Sequence, residues 1–124
     1  MNGILNDQSL IHQQITRLIE DGILQGSYAE GEQVPSTTEL ARTFNINPAT
    51  AAKGVNRLVE AGLLYKKRGI GMFVAEGARA QLRKQRSEAF YQDYVKKLVR
   101  EAQNLGLDLD QLTELIQRGY YDVH

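Results

Sequence analysis

The pattern of hydrophobic and polar positions predicts helices in the first part of the chain. From Ser9 to about Gln25 the apolar residues stand three or four positions apart, as on one face of an amphipathic helix. A short second helix is expected from Thr37 to Phe44. Its start is marked by Ser36 and Glu39, which have the spacing of a capping box, where each side chain binds the backbone amide of the other.

A third helix and a β-hairpin are expected directly afterwards. The helix should run from Pro48 to about Ala61, because Asn47 is a favourable N-cap and Gly62 is a favourable left-handed end. Residues 63–67 and 72–75 have the composition of two short strands, and a turn with two glycines joins them.

Helical spacing returns beyond residue 77 and continues to Gly106. A last helix is expected from Asp108, whose side chain can cap it, to Gly119, where the glycine would end it. The predicted fold class is α+β and mostly α. Residues 1–75 would form three helices and a hairpin, and residues 76–124 would form two further helices.

The composition narrows the classes of function. The chain has 124 residues, no cysteine and no apolar run long enough to span a membrane, and its N-terminus lacks the pattern of a signal peptide. We therefore expect a cytoplasmic protein without membrane contact. It has no nucleophile elbow, phosphate-binding loop or zinc-protease motif, so we expect neither an enzyme nor a bound cofactor or metal.

Charge is balanced over the whole chain but not along it. Fifteen Lys and Arg residues match fifteen Asp and Glu residues, whereas residues 36–75 hold six basic and two acidic residues, a net charge of +4. Residues 1–35 carry a net charge of −4. One basic region within a neutral chain is typical of a domain that has a single surface for an anionic partner.

Three helices followed by a hairpin are the elements of a winged helix-turn-helix, in which the third helix can enter the DNA major groove and the hairpin lies beside it as a wing. Small polar residues and then cations are expected on the exposed face of the third helix. The wing tip combines cations with glycines, and the second helix begins with hydroxyls and free amides suited to a phosphate. The candidate contacts with double-stranded DNA are Ser36, Thr37, Asn47, Thr50, Lys53, Arg57, Lys67, Arg68, Gly69 and Gly71.

Four segments resemble motifs of the GntR family of bacterial transcription regulators. Residues 35–41, Pro-Ser-Thr-Thr-Glu-Leu-Ala, are similar to the family's P-S-x-R-E-L-A, and residues 47–53 are similar to its N-x-x-T-V-x-K/R. Residues 58–64 and 68–74 are similar to its L-x-x-x-G-L-I and R-G-x-G-x-F-V. The resemblance covers residues 9–75 and implies a sequence-specific transcription regulator, with repression as the expected activity.

Thr38 departs from the family pattern. The family usually has an arginine at this position, where it contacts DNA, so the resemblance adds Thr38 to the candidate DNA contacts. A threonine hydroxyl can give a phosphate one hydrogen bond but no bidentate charged contact. We therefore expect the affinity or the operator preference to differ from the family's usual one.

The C-terminal helices carry more apolar surface than one small domain can cover, so we expect a homodimer. This short region resembles the YtrA-like subfamily, whose tail dimerises and which lacks the large effector domain of other branches. Two recognition helices related by a two-fold axis imply a palindromic operator. The predicted dimer interface contains Tyr91, Tyr94, Val95, Leu98, Val99, Leu105, Leu109, Leu112, Leu115 and Ile116.

Other interpretations of these residues are open at the level of sequence. A winged helix can also serve as a protein–protein assembly module without DNA binding. Capping alone explains Asn47, and Arg57 can face acidic residues of its own domain. Phe90, Tyr91 and Tyr94 can line a pocket for a small-molecule effector, although the sequence does not indicate whether an effector exists.

Overall fold

The computed structural model describes residues 8–122 of the chain, so the first seven residues, on which the expectation about a signal peptide rests, lie outside it. The mostly helical α+β class predicted above is confirmed. The elements are α1 (Gln8–Gln25), α2 (Thr37–Phe44), α3 (Pro48–Glu60), β1 (Leu64–Lys67), β2 (Gly71–Val74), α4 (Ala78–Phe90), a π-helical segment (Tyr91–Val95), α5 (Lys96–Asn104) and α6 (Leu109–Tyr121).

The chain forms two compact units, which divide between Lys84 and Gln85. Helices α1 to α3 and the hairpin build the core of the first unit, and Ala78 and Leu82 from the first turns of α4 belong to the same core. The first unit therefore extends beyond the boundary expected after residue 75, because the start of α4 completes its core. Its largest fully buried side chains are Ile19, Ile23, Val55, Leu58, Leu63, Leu64, Val74 and Leu82.

Helices α1 and α3 approach each other closely at Gly54. A Cβ atom at this position would lie 2.6 Å from the carbonyl oxygen of His12 and 2.9 Å from the Cβ of Ile15. The hydroxyl of Thr16 donates to the carbonyl oxygen of Gly54 at 2.7 Å. The missing side chain thus lets the two backbones meet, and this contact fixes where α3 lies on α1.

The ends of α2 and α3 follow the sequence predictions. The Ser36 hydroxyl accepts a hydrogen bond from the Glu39 amide at 3.0 Å, and the Glu39 carboxylate accepts one from the Ser36 amide at 2.9 Å. Gly62 follows α3 with a φ of +77°, the left-handed conformation predicted for it. Local chemistry therefore determines where these two helices begin and end.

A short extended segment at residues 31–34 adds to the outer side of the hairpin. The strands β1 and β2 are antiparallel, with Lys67 opposite Gly71. Beside β2, the Val34 amide donates to the Met72 carbonyl oxygen at 2.9 Å, and Gln33 forms a β-bridge with Phe73. This segment was not predicted, because its pairing is confined to a few residues that precede a proline.

The second unit differs from the sequence prediction at two points. The helix expected to run without interruption to Gly106 contains the π-helical segment, in which the Lys96 amide donates to the Tyr91 carbonyl oxygen five residues earlier. The last helix does not end at Gly119 but continues to Tyr121, because Gly119 keeps a helical backbone. In the described part of the chain, none of the helices combines the length and the hydropathy that a membrane span requires.

Most of the predicted interface residues of the second unit are exposed in the single chain, and Val95 is half-buried. Leu112 is an exception, because it is only 9 % exposed and is thus already covered within one chain. The prediction that Leu112 belongs to an exposed stripe is therefore wrong. The exposed apolar side chains, called the apolar stripe below, are Phe90, Tyr91, Tyr94, Leu98, Val99, Leu105, Leu109, Leu115, Ile116, Tyr120 and Tyr121.

Candidate nucleic-acid interface

Helix α3 has one face in the core and one face toward solvent. The buried face consists of Thr50, Ala51, Gly54, Val55 and Leu58. A shallow groove runs along the other face, and its lining residues are Ala49, Ala52, Lys53, Asn56, Arg57 and Glu60. Cations and an amide on an exposed helix can bind guanine, adenine or phosphate in a major groove, and a methyl group can contact thymine.

The prediction that Thr50 lies on the exposed face is wrong. Its side chain is only 5 % exposed. Since α3 begins at Pro48, helical spacing places Thr50 on the same side as the buried Gly54, whereas Ala49 and Lys53 face solvent. Thr50 therefore has no surface with which to read a base in this arrangement.

Asn56 was not predicted as a candidate contact. It is exposed, and it follows Lys53 by three positions, so the two side chains share one face of α3. A count of helical spacing from Lys53 would have found it. Its carboxamide can donate to and accept from an adenine edge at the same time.

Asn47 and Arg57 are both available for contact with DNA, which the sequence left open beside capping for Asn47 and pairing with acidic residues for Arg57. The Asn47 side-chain oxygen accepts from the Ala49 amide at 2.8 Å, which uses the acceptor of the carboxamide and leaves its NH₂ group as a donor. Arg57 lies near Glu20 in a groove beside α1. In the part of the chain that the structure describes, neither Arg57 nor Lys53 forms an ion pair.

The start of α2 presents backbone amides and two threonines. Thr37 is half-buried and Thr38 is exposed, and the amides of these first helical residues have no acceptor within the helix. The Ser36 backbone amide, and next the Ser36 hydroxyl, hold the pKa of Glu39 below its usual value. Arg42 is an exposed cation that the sequence analysis did not include among the candidate DNA contacts. It follows Thr38 by one helical turn and lies on the same side of α2.

The wing has two stacked aromatic rings, and one of its cations, Lys67, packs on them. The rings of Tyr65 and Phe73 stack with their centroids 5.9 Å apart. The Lys67 ammonium lies 4.5 Å from the centroid of the Phe73 ring, at the distance of a cation–π contact. Arg68 follows in the turn and is exposed. The tip therefore presents two cations, of which Lys67 packs on an aromatic ring and Arg68 is open to solvent.

The turn itself depends on glycine. Gly69 has a φ of +75° and Gly71 has a φ of +149°, conformations that other residues rarely adopt. Both predicted glycines therefore shape the tip. Gln33, which was not predicted, also contacts it, since its side-chain amide donates to the Ile70 carbonyl oxygen at 3.0 Å.

A braced helix with an exposed polar face, a free helix N-terminus and a cationic hairpin belong to one folded unit. This combination defines the class of winged helix-turn-helix DNA-binding domains. Each of the three features presents hydrogen-bond donors or positive charge.

The comparisons with known proteins identify the family. The pattern described as "Bacterial regulatory proteins, gntR family" matches residues 11–74, which is just over half of the chain, and the protein belongs to this family. It is 29% identical over 113 residues to the HTH-type transcriptional repressor YtrA of Bacillus subtilis (strain 168), covering 91% of this chain and 86% of that protein.

Two solved structures are similar to the chain. A putative transcriptional regulator of the GntR family from Bacteroides thetaiotaomicron is 33% identical, with a TM-score of 0.61, and the match covers 91% of this chain and 96% of that one. The DNA-binding domain of AraR in complex with operator ORR3 is 34% identical, with a TM-score of 0.50, and the match covers 52% of this chain and 77% of that one.

The family resemblance found in the sequence is confirmed, and so is the similarity to the YtrA branch. The chain is a transcriptional regulator with a DNA-binding winged helix, and its relatives are regulators rather than enzymes. These relatives give no support to an assembly module without DNA binding. The individual DNA contacts and the dimer interface stay predictions.

Proposed function

We propose that the protein is a homodimeric, cytoplasmic repressor that binds a palindromic operator, with α3 in the major groove and the wing in the minor groove. The observation that carries this proposal is the set of exposed cations on α3 and on the wing of one unit. The proposed DNA contacts are Ser36, Thr37, Thr38, Asn47, Lys53, Asn56, Arg57, Lys67, Arg68, Gly69 and Gly71.

The exposed face of α3 suits sequence reading. Near its start the face is narrow, because Ala49 and Ala52 have only methyl side chains, so the helix can lie deep in the groove. The hydrogen-bond donors on this face come next, from Lys53, Asn56 and Arg57. The amide of Asn56 and the guanidinium of Arg57 can each make bidentate contacts with a base. Discrimination between operators would come from these residues.

The wing suits a narrower groove. Its tip is a tight turn, and the absence of a side chain at Gly69, where an added Cβ would have no neighbour within 4 Å, leaves room for a close approach to the DNA backbone. The positive charges of Lys67 and Arg68 are attracted by the strong negative potential of a narrow minor groove. Contacts of this kind with the DNA backbone add affinity without reading individual bases.

The proposal of a dimer rests on the apolar stripe. Large exposed apolar patches are rare on soluble monomers, and here aromatic and aliphatic side chains follow one another along the π-helical segment, α5 and α6. We take a second copy of the chain as the occupant, and a dimer with two-fold symmetry would in turn bind a palindromic operator. The name of the relative YtrA, a transcriptional repressor, supports repression as the outcome of binding.

Substituting Lys67 and Arg68 together by alanine tests the wing contact. We expect weaker binding to specific and random duplexes alike, because phosphate contacts carry no sequence information. The slope of log K against log salt should become shallower by up to about two units, since each lost phosphate contact releases about one counterion fewer. Fluorescence anisotropy with labelled duplexes at several salt concentrations measures both effects.

A matched control removes two adjacent cations elsewhere. Lys96 and Lys97 are exposed on α5, so replacing both by alanine changes the net charge equally without touching the wing. This variant should keep the salt slope of the unmodified protein. Equal losses in both variants would mean that total charge, rather than the wing, governs binding.

Replacing Thr38 by arginine tests the start of α2. We expect tighter binding, by about tenfold or less, because the residue is exposed beside free helix amides and would gain a charged donor for a phosphate. Thr38→Gln, which has a long side chain without charge, is the control and should change affinity little. Weaker binding by Thr38→Arg would show that this chain places α2 differently on DNA.

A further inference from the structure

The side chain of Gln33 joins the wing tip to a segment outside the hairpin. Its Nε2 atom donates to the carbonyl oxygen of Ile70 at 3.0 Å. The same atom lies where a side chain at Gly71 would begin, so a Cβ added there would overlap it. The backbone of Gln33 forms a β-bridge with Phe73, so the residue is held at both its main chain and its side chain.

Beyond the contact of Lys67 with the Phe73 ring, the wing tip has little other support. Within the turn, the Ile70 amide donates to the Lys67 carbonyl oxygen at 2.9 Å. The Ile70 side chain is 63 % exposed and therefore does not anchor the turn in the core. A two-stranded hairpin is only marginally stable by itself, and two glycines at positive φ make this turn easy to deform.

Gln33 also connects the wing to the start of α2. Val34, the next residue, is 2 % exposed, and its amide binds the Met72 carbonyl oxygen of β2. Pro35 and the helix cap Ser36 follow immediately. The short segment at 31–34 thus fixes the spacing between the wing and the free amides of α2, the two regions that we propose contact phosphates.

We infer that Gln33 is a positioning residue for DNA binding. It holds the Ile70 carbonyl, and through it the turn that carries Arg68, in one conformation relative to the start of α2. It acts through the wing without contacting DNA. This inference rests on the proposed wing contact, and the experiment below separates a failure of one from a failure of the other.

The test uses Gln33→Met, which keeps the length of the side chain but removes the donor. We expect operator affinity to fall by about fivefold, the effect of one lost hydrogen bond. The melting temperature should fall by only a few degrees, the change expected when one hydrogen bond is lost from a small domain. Gln13→Met, the same substitution at an exposed position on α1, is the control and should leave both quantities unchanged.

A double-mutant cycle provides the decisive measurement. Gln33→Met should have no further effect on a protein that already carries Lys67→Ala and Arg68→Ala, because the tip then has no cation to position. In NMR spectra, the amide signals of Ile70 and Gly71 should shift and broaden in Gln33→Met and stay in place in Gln13→Met.

The outcomes distinguish the two proposals. If Lys67→Ala with Arg68→Ala leaves the affinity unchanged, the wing contact itself is wrong, and the inference falls with it. If that variant binds weakly but Gln33→Met binds normally, only the positioning role is wrong. An equal loss from Gln33→Met with and without the wing cations would also overturn it, since Gln33 would then act independently of the wing.

Discussion

Replacing Leu98 and Ile116 by glutamate should convert the protein into a monomer that binds its operator far more weakly. Both side chains are nearly half exposed in the single chain, at 45 % and 46 %, so a carboxylate there is solvated when the chain is alone. In the proposed dimer the same carboxylates would be buried without partners, which costs several kcal/mol. Light scattering gives the mass, and anisotropy gives the affinity for a palindromic duplex.

The choice of positions matters for this experiment. Leu112 is covered within one chain, so Leu112→Glu would damage the folded monomer and confuse the result. Arg100→Gln with Arg118→Gln changes the net charge by the same amount at exposed polar positions and should leave the dimer intact. An unmodified protein that has the mass of a single chain at micromolar concentration would contradict the dimer and the palindrome together.

Gly54→Ala should destabilise the first unit, although alanine favours helices over glycine. The added methyl group would meet the His12 carbonyl oxygen at 2.6 Å, and a backbone atom in a helix cannot move aside alone. Overpacking of this kind costs about 1–3 kcal/mol, against a gain in helix propensity of about 1 kcal/mol. We expect a lower urea midpoint and weaker DNA binding, because α3 is displaced from α1.

Gly119→Ala is the matched control for that substitution. Gly119 also lies inside a helix, but an added Cβ would have no neighbour within 4 Å. Here the helix propensity acts alone, and the free energy of unfolding should rise by up to about 1 kcal/mol. Equal stabilisation by both substitutions would show that α1 and α3 do not approach as closely as described.

The sequence was sufficient for the features that local chemistry determines. The cap at Ser36 and Glu39, the cap at Asn47 and the left-handed Gly62 each act within one turn of the chain, and the helix ends that they predict are the observed ones. The same holds for the wing, whose glycines and cations are adjacent in sequence. The family motifs coincide with these locally determined elements.

Features that depend on distant contacts could not be predicted. Thr50 is polar and near the start of α3, but the phase at which α3 packs on α1 puts it in the core. Leu112 has the same spacing as its exposed neighbours and is covered all the same. Gln33 shows no pattern in the sequence, because the hydrogen bond to Ile70 joins residues 37 positions apart.

The π-helical segment has a consequence for sequence alignment. A π-helical turn holds one residue more than the α-helical turn it replaces. Counting by α-helical spacing from the half-buried Ala89 leads to Gln92 or Asp93, both polar, whereas the apolar residue is Tyr94, one position later. A relative with an uninterrupted α-helix should therefore need a single one-residue gap within Tyr91–Val95, after which the apolar positions of the two proteins correspond again without further adjustment.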